Sequence, residues 1–160
     1  MAIPFDAAFF AEIDRRAENS KRRRANTNLH RDAASLVQRL FISMMPDSYV
    51  RPHKHTQAHK WECFLVVSGQ LDFLLFDDNG VLTDRVVLSA EGECRGIEIP
   101  PGQWHATVCR EPVVFFEVKQ GPYEVESDKV FADWAPEEAD VNVPVFLEAL
   151  KNLKLGFRVS

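Results

Sequence analysis

Between residues 36 and 119 the chain is cut into short apolar runs by turn-forming residues, and this punctuation limits the fold more than any other feature. WECFLVV (61–67) ends just before Gly69, QLDFLLF (70–76) runs into Asp77-Asp78-Asn79-Gly80, and VLTDRVVL (81–88) follows. Asn-Gly between two apolar runs is a hairpin signal, because a tight turn needs residues that tolerate positive φ. RGIEI (95–99) meets Pro100-Pro101-Gly102, and WHATV (104–108) and VVFFEVK (113–119) complete the series. LVQRLFISM (36–44) and SYVRPHKH (48–55) read as two further strands. Short strands at near-regular spacing predict an all-β sandwich or barrel.

Helices are expected only at the two ends. Residues 4–17 place Phe9, Phe10 and Ile13 at helical spacing behind Asp6 as N-cap. SKRRRANTNLH (20–30) reads as an exposed linker, with a phosphate-bearing ligand as the other use for the cations at 21–24. VPVFLEALKNLK (143–154) predicts a helix that packs on the β domain or on a partner chain. The expected division is an N-terminal helix with a polar lid segment (1–35), the β-barrel (36–121) and a C-terminal extension (122–160).

Composition narrows the function. A net charge of −5 and a pI near 5.5 argue against broad binding to nucleic acid or anionic membranes. No apolar run approaches the roughly 20 residues of a membrane span. Cys63, Cys94 and Cys109 are odd in number and lack CxxC spacing, which fits small apolar fillers in a reduced compartment. MAIPFDAAFFAEIDRR has no basic n-region. A cytoplasmic protein with a small-molecule substrate is the expectation.

The chemistry concentrates in RPHKHTQAHKWE (51–62), which holds three of the five histidines. On a strand His53 and His55 share a face, as do Glu62, Phe64 and Val66 on the next. Two imidazoles on one face form a clamp for a borderline metal ion, and His105, three residues after Gly102, can complete it from a distant strand. The mixed N/O set suits Fe, Zn, Mn or Ni.

His53-x-His55, Glu62 and Gly69 resemble the first cupin motif, and Pro100-x-Gly102-x-x-His105 resembles the second. The blocks NLH (28–30), VQRLFI (37–42), RPHKH, HKWE, GQL (69–71), EIPPGQWH (98–105) and EVKQGPY (117–123) together resemble WbuC-type cupin metalloproteins, over residues 26–136. The resemblance implies a single jelly-roll β-barrel, commonly paired as a homodimer. It also implies one divalent metal on His53, His55, Glu62 and His105, and an association with surface-polysaccharide biosynthesis. The sequence departs from the general pattern in two places. Six residues, His59 among them, separate His55 from Glu62, so His59 competes with Glu62 as fourth ligand; and Cys109 stands where an asparagine is common.

His59 has two readings, a metal-adjacent acid/base or an exposed loop residue. Glu117 and Lys119 share a strand face with Phe115, so they are either an inward ion pair that moves protons and grips substrate or a solvated outer face. Arg39, Tyr123, Asn28 and His30 are further candidates for substrate contact, the last two as a lid. Three functions follow. One is a metal-dependent isomerase, epimerase or lyase of a sugar or nucleotide sugar. The second is an Fe(II) dioxygenase, and the third a non-catalytic metal-dependent sensor of a small molecule.

Overall fold

The computed structural model describes residues 2–126 and 128–159. In chain order it contains α1 (Ala7–Asn19), β1 (Arg24–Asn28), β2 (Val37–Met44), β3 (His53–Lys54), β4 (Glu62–Ser68), β5 (Gln70–Phe76), β6 (Leu82–Ser89), β7 (Gly96–Ile99), β8 (Trp104–Val108), β9 (Val113–Gln120), β10 (Val130–Phe131) and α2 (Val143–Asn152). The strands form two five-stranded antiparallel sheets, β1-β2-β9-β4-β7 and β10-β3-β8-β5-β6. Among the described residues no strand pairs across from one sheet to the other, so the expected barrel is an open sandwich.

Turn chemistry sets the registers. Asp77 Oδ1 accepts the amides of Asn79 and Val81, both at 2.9 Å, and Gly80 supplies φ +79°, which closes the β5–β6 hairpin. Gly69 turns β4 into β5 at φ +75°, and a Cβ there would lie 2.6 Å from the Pro112 carbonyl oxygen. Only glycine fits both demands.

The inter-sheet core is built from Met44, Phe64, Val66, Leu71, Phe73, Leu88, Val113 and Phe115. The helices cover the outer faces. Asp6 caps α1 by accepting the Phe9 amide at 2.9 Å, and Ile13 packs on Phe41 and Val114. α2 lays Phe146, Leu147 and Leu150 on Trp104, Ala106 and Val108. This cover explains why every residue of β8 is buried: its odd and even positions each face a core. No helix among the described residues is long and apolar enough to cross a membrane.

Three local expectations are corrected. The polar stretch 20–30 is not a linker throughout, because Arg24–Asn28 form β1, paired Arg24↔Met44 to Asn28↔Leu40. Its polarity misleads because it borders a cavity instead of the core. The expected strand 48–55 shrinks to His53–Lys54, since Pro52 has no amide to give a ladder. The tail, read as turns and a helix, contributes β10, which pairs Phe131↔His53.

Candidate metal centre

The inner face of the first sheet changes character along its length. The register aligns Val66↔Phe115, then Phe64↔Glu117, then Glu62↔Lys119, so apolar pairs give way to charged ones at one end. Glu62, Glu117 and Lys119 are all buried. The inward reading of Glu117 and Lys119 therefore matches their placement; their charges lie 3.4 Å apart.

The opposite sheet brings the histidines to the same end. β3 and β8 pair His53↔His105, with ring centroids 4.4 Å apart, and Phe73 stacks on His105 at 5.5 Å. His55 follows β3 directly. All three imidazoles are buried, and each can turn one nitrogen to a common point, with these atoms within 4.8 Å of one another. These three histidines could hold a metal ion. Glu62 reaches the same point, with Oε1 3.1 Å from His55 Nε2 and Oε2 3.3 Å from His105 Nε2.

Hydrogen bonds fix which nitrogen faces inward. His53 Nδ1 lies 2.9 Å from the Arg51 carbonyl, His105 Nδ1 lies 3.0 Å from the Gln103 carbonyl, and His55 Nδ1 contacts the Asp128 carbonyl. A carbonyl only accepts, so each Nδ1 carries the proton and each neutral ring turns a bare Nε2 lone pair to the centre. Burial, followed by the charge of Lys129, pushes the His53 pKa well below its ordinary value; burial also lowers that of His105, against the pull of Glu62. The Glu62 pKa is pushed down to about 2: burial opposes this, but His55 and His105, when protonated, and Lys119 outweigh it; with neutral rings the Lys119 charge, or a bound cation, takes over that role.

Lone pairs of neutral imidazoles facing a carboxylate repel unless a cation lies between them. His55 Nε2 and Glu62 Oε2 are buried and have no hydrogen-bond partner. Two ligands about 2.1 Å from one ion and at right angles to each other lie roughly 3.0 Å apart, close to the spacings seen here. The donor set therefore fits a divalent cation. Neutral histidines are needed to bind it. Because the His53 and His105 rings resist protonation, the site is intact above their folded pKa values and is lost as pH falls. A metal ion bound at pH 7 is therefore expected to stay bound through the ordinary histidine range near pH 6.5 and to leave only at more acidic pH, read by dialysis across a pH series and elemental analysis. Loss of most of the metal already between pH 7 and 6.5 would contradict these lowered pKa values.

Beside the centre lies a cavity of about 300 Å³, lined by His53, Glu62, His105, Glu117, Lys119, Lys129 and apolar Phe64 and Phe115, among others. Arg22 and Arg24 also border it, so half of the basic run at 21–24 lies at this site. A neighbouring cavity of about 560 Å³ is lined by Asn28, His30, Lys119 and Tyr123, among others. Tyr123 stands at both, 5.7 Å from the Lys119 ammonium.

The structure does not bring two expected residues to the centre. Arg39 alternates with Leu40, which faces the cavity, so it lies on the other face, exposed and donating to the Leu29 carbonyl at 3.1 Å. His59 is exposed in the turn before β4 and lines neither cavity. His59→Ala is expected to leave metal content unchanged and stability within about 0.5 kcal/mol of wild type, by elemental analysis and urea unfolding. Of the cysteines, only Cys109 is a buried filler, its thiol pushed up to about 12 by burial; Cys94 is exposed.

The sequence reading missed Asp128 and Lys129. Both sit in the acidic, turn-rich tail, where nothing periodic marks them, and β10 pairing carries them in. Asp128 is buried, with Oδ1 3.1 Å from Lys60 Nζ and Oδ2 3.7 Å from Lys119 Nζ.

Two facing antiparallel sheets with a histidine cluster between their ends define a cupin-type double-stranded β-helix. A double-stranded β-helix protein from Klebsiella pneumoniae superposes with TM-score 0.55 at 17% identity, over 83% of this chain and 99% of that one. CapF, solved with the inhibitor 3-isopropenyl-tropolone, gives TM-score 0.58 at 22% identity over 71% of this chain but 32% of its own. The DMSP lyase DddQ from Ruegeria pomeroyi gives 0.50 at 20% identity, over 68% and 51%. At these identities the likeness is one of fold. The chain belongs to the family described as a domain of unknown function, DUF6016, whose model matches residues 5–88, just over half its length. No curated protein matches it.

Proposed function

We propose that this protein is a metal-dependent cupin enzyme that acts on a small sugar derivative, by isomerisation, epimerisation or elimination. The observation that carries the reading is the convergence of three bare Nε2 lone pairs and the Glu62 carboxylate on one point beside a cavity. His53, His55, His105 and Glu62 would hold the ion. A bound divalent ion would supply a Lewis acid for a carbonyl or hydroxyl pair of the substrate. Glu117 would take up or return a proton, a role supported by its position on the cavity wall, 3.4 Å from Lys119. Phe64 and Phe115 form an apolar wall that restricts water. The sugar assignment is supported by the WbuC-type sequence blocks, and a cytoplasmic homodimer belongs to the same reading.

The test is elemental analysis of untagged protein, followed by turnover assays on sugar derivatives with and without the metal. Near-stoichiometric metal and metal-dependent turnover are the expected results. Iron with substrate-dependent oxygen consumption would replace this reading by a dioxygenase. Metal-dependent ligand binding without turnover would replace it by a sensor, and no metal after reconstitution would overturn it.

A further inference from the structure

We propose that the ligand of the metal-side cavity is an anion, and that its carboxylate or phosphate pairs with Lys129 and the Arg51 guanidinium. This rests on the metal reading above and narrows its substrate class.

The argument is the pairing of charges around the cavity, whose lining includes the cations Arg22, Arg24, Arg51, Lys119 and Lys129. Arg22 and Arg24 are satisfied by Glu138, at 2.6 and 2.7 Å. Lys119 has Glu117 at 3.4 Å and Asp128 at 3.7 Å. The third lining carboxylate, Glu62, is directed at the histidines.

That leaves two cations without a close, hydrogen-bonded acid. Among the described residues Lys129 makes no ion pair or hydrogen bond, and burial, then the charge of Lys119, lowers its pKa. Arg51 gives one amino group to the Ala132 carbonyl at 2.8 Å, but its Nε is buried without a partner. Among the described residues its one ion pair is with the highly exposed Glu137, at 3.9 Å. Phe131 packs beside it at 5.4 Å, which keeps water off one side.

Cations that are partly buried without a close counter-ion are unfavourable. A carboxylate or phosphate on the ligand would provide the missing charge and charge-assisted hydrogen bonds. A neutral sugar would leave both cations unanswered. The cavity, about 300 Å³, is at the small end of ligand sites, so the occupant is a compact acid or phosphate ester.

Three probes with one carbon skeleton test this by calorimetry on the metal-loaded protein: glycerol, D-glycerate and glycerol 3-phosphate. At least one acid is expected to bind more than about tenfold tighter than glycerol, and which one does so separates carboxylate from phosphate. Lys129→Met should remove that preference and Lys129→Arg should keep it. Equal binding of all three probes, no binding by either acid, or acid affinity unchanged in Lys129→Met would overturn the proposal. Metal content is measured on the same samples, so full metal without anion preference sinks this inference alone, whereas absent metal sinks the parent reading.

Discussion

His105→Ala is expected to weaken metal affinity by more than about 100-fold, beyond the 10–100-fold typical of losing a group that only orients a ligand. Purified protein should fall from near-stoichiometric metal to background. His105 occupies a singular position: its register partner is His53 and its Nε2 is 3.3 Å from Glu62, so it links both sheets through one ring. Its tautomer is fixed by the Gln103 carbonyl at 3.0 Å, so the free protein already presents the lone pair. Elemental analysis with circular dichroism checks the prediction. A folded variant that keeps its metal would show that the ion, if present, is held elsewhere.

Asp128→Ala is expected to destabilise the protein by about 3–5 kcal/mol, as removal of one partner from a buried ion pair does. Asp128 faces the buried Lys60 at 3.1 Å and Lys119 at 3.7 Å, and its own carbonyl receives the His55 ring. Lys60 also donates to the Pro122 carbonyl, so its ammonium is held in place and cannot swing to water when the carboxylate is gone. Lys119 has its pKa raised: burial opposes this, but Glu117, Glu62 and Asp128 together prevail. Urea unfolding measures the loss. A change below about 1 kcal/mol, the value of an exposed pair, would show that water reaches these charges.

The two predictions differ in how far the residues could be foreseen. His53, His55, Glu62 and His105 were legible because two local rules place them: alternation along a strand, and a Pro-x-Gly turn that starts the next one. The inward face of Glu117 and Lys119 follows from the same alternation once Phe115 is core. Arg39 fails on the same rule, since Leu40 and Ile42 line the cavity and the residue between them must point away. His59 fails because an inserted turn has no period, and its exposure depends on how Lys60 and Trp61 are held. Asp128 and Lys129 were illegible because β10 is only two residues long and forms solely against β3.

The sequence by itself determined the order of short strands, the turns at Gly69 and Gly80, the N-cap of the first helix and the residue types that meet at the candidate metal centre. Each of these depends on contacts within a few residues, where backbone geometry and side-chain alternation act directly. Only the tertiary structure decided that the sheets stay an open sandwich, that Arg24–Asn28 join one of them, that Lys129 reaches the cavity and that Asp128 meets Lys60 and Lys119. Those outcomes depend on pairing between segments up to about eighty residues apart, in which the favourable terms of burial and counter-charge exist only once both partners have met.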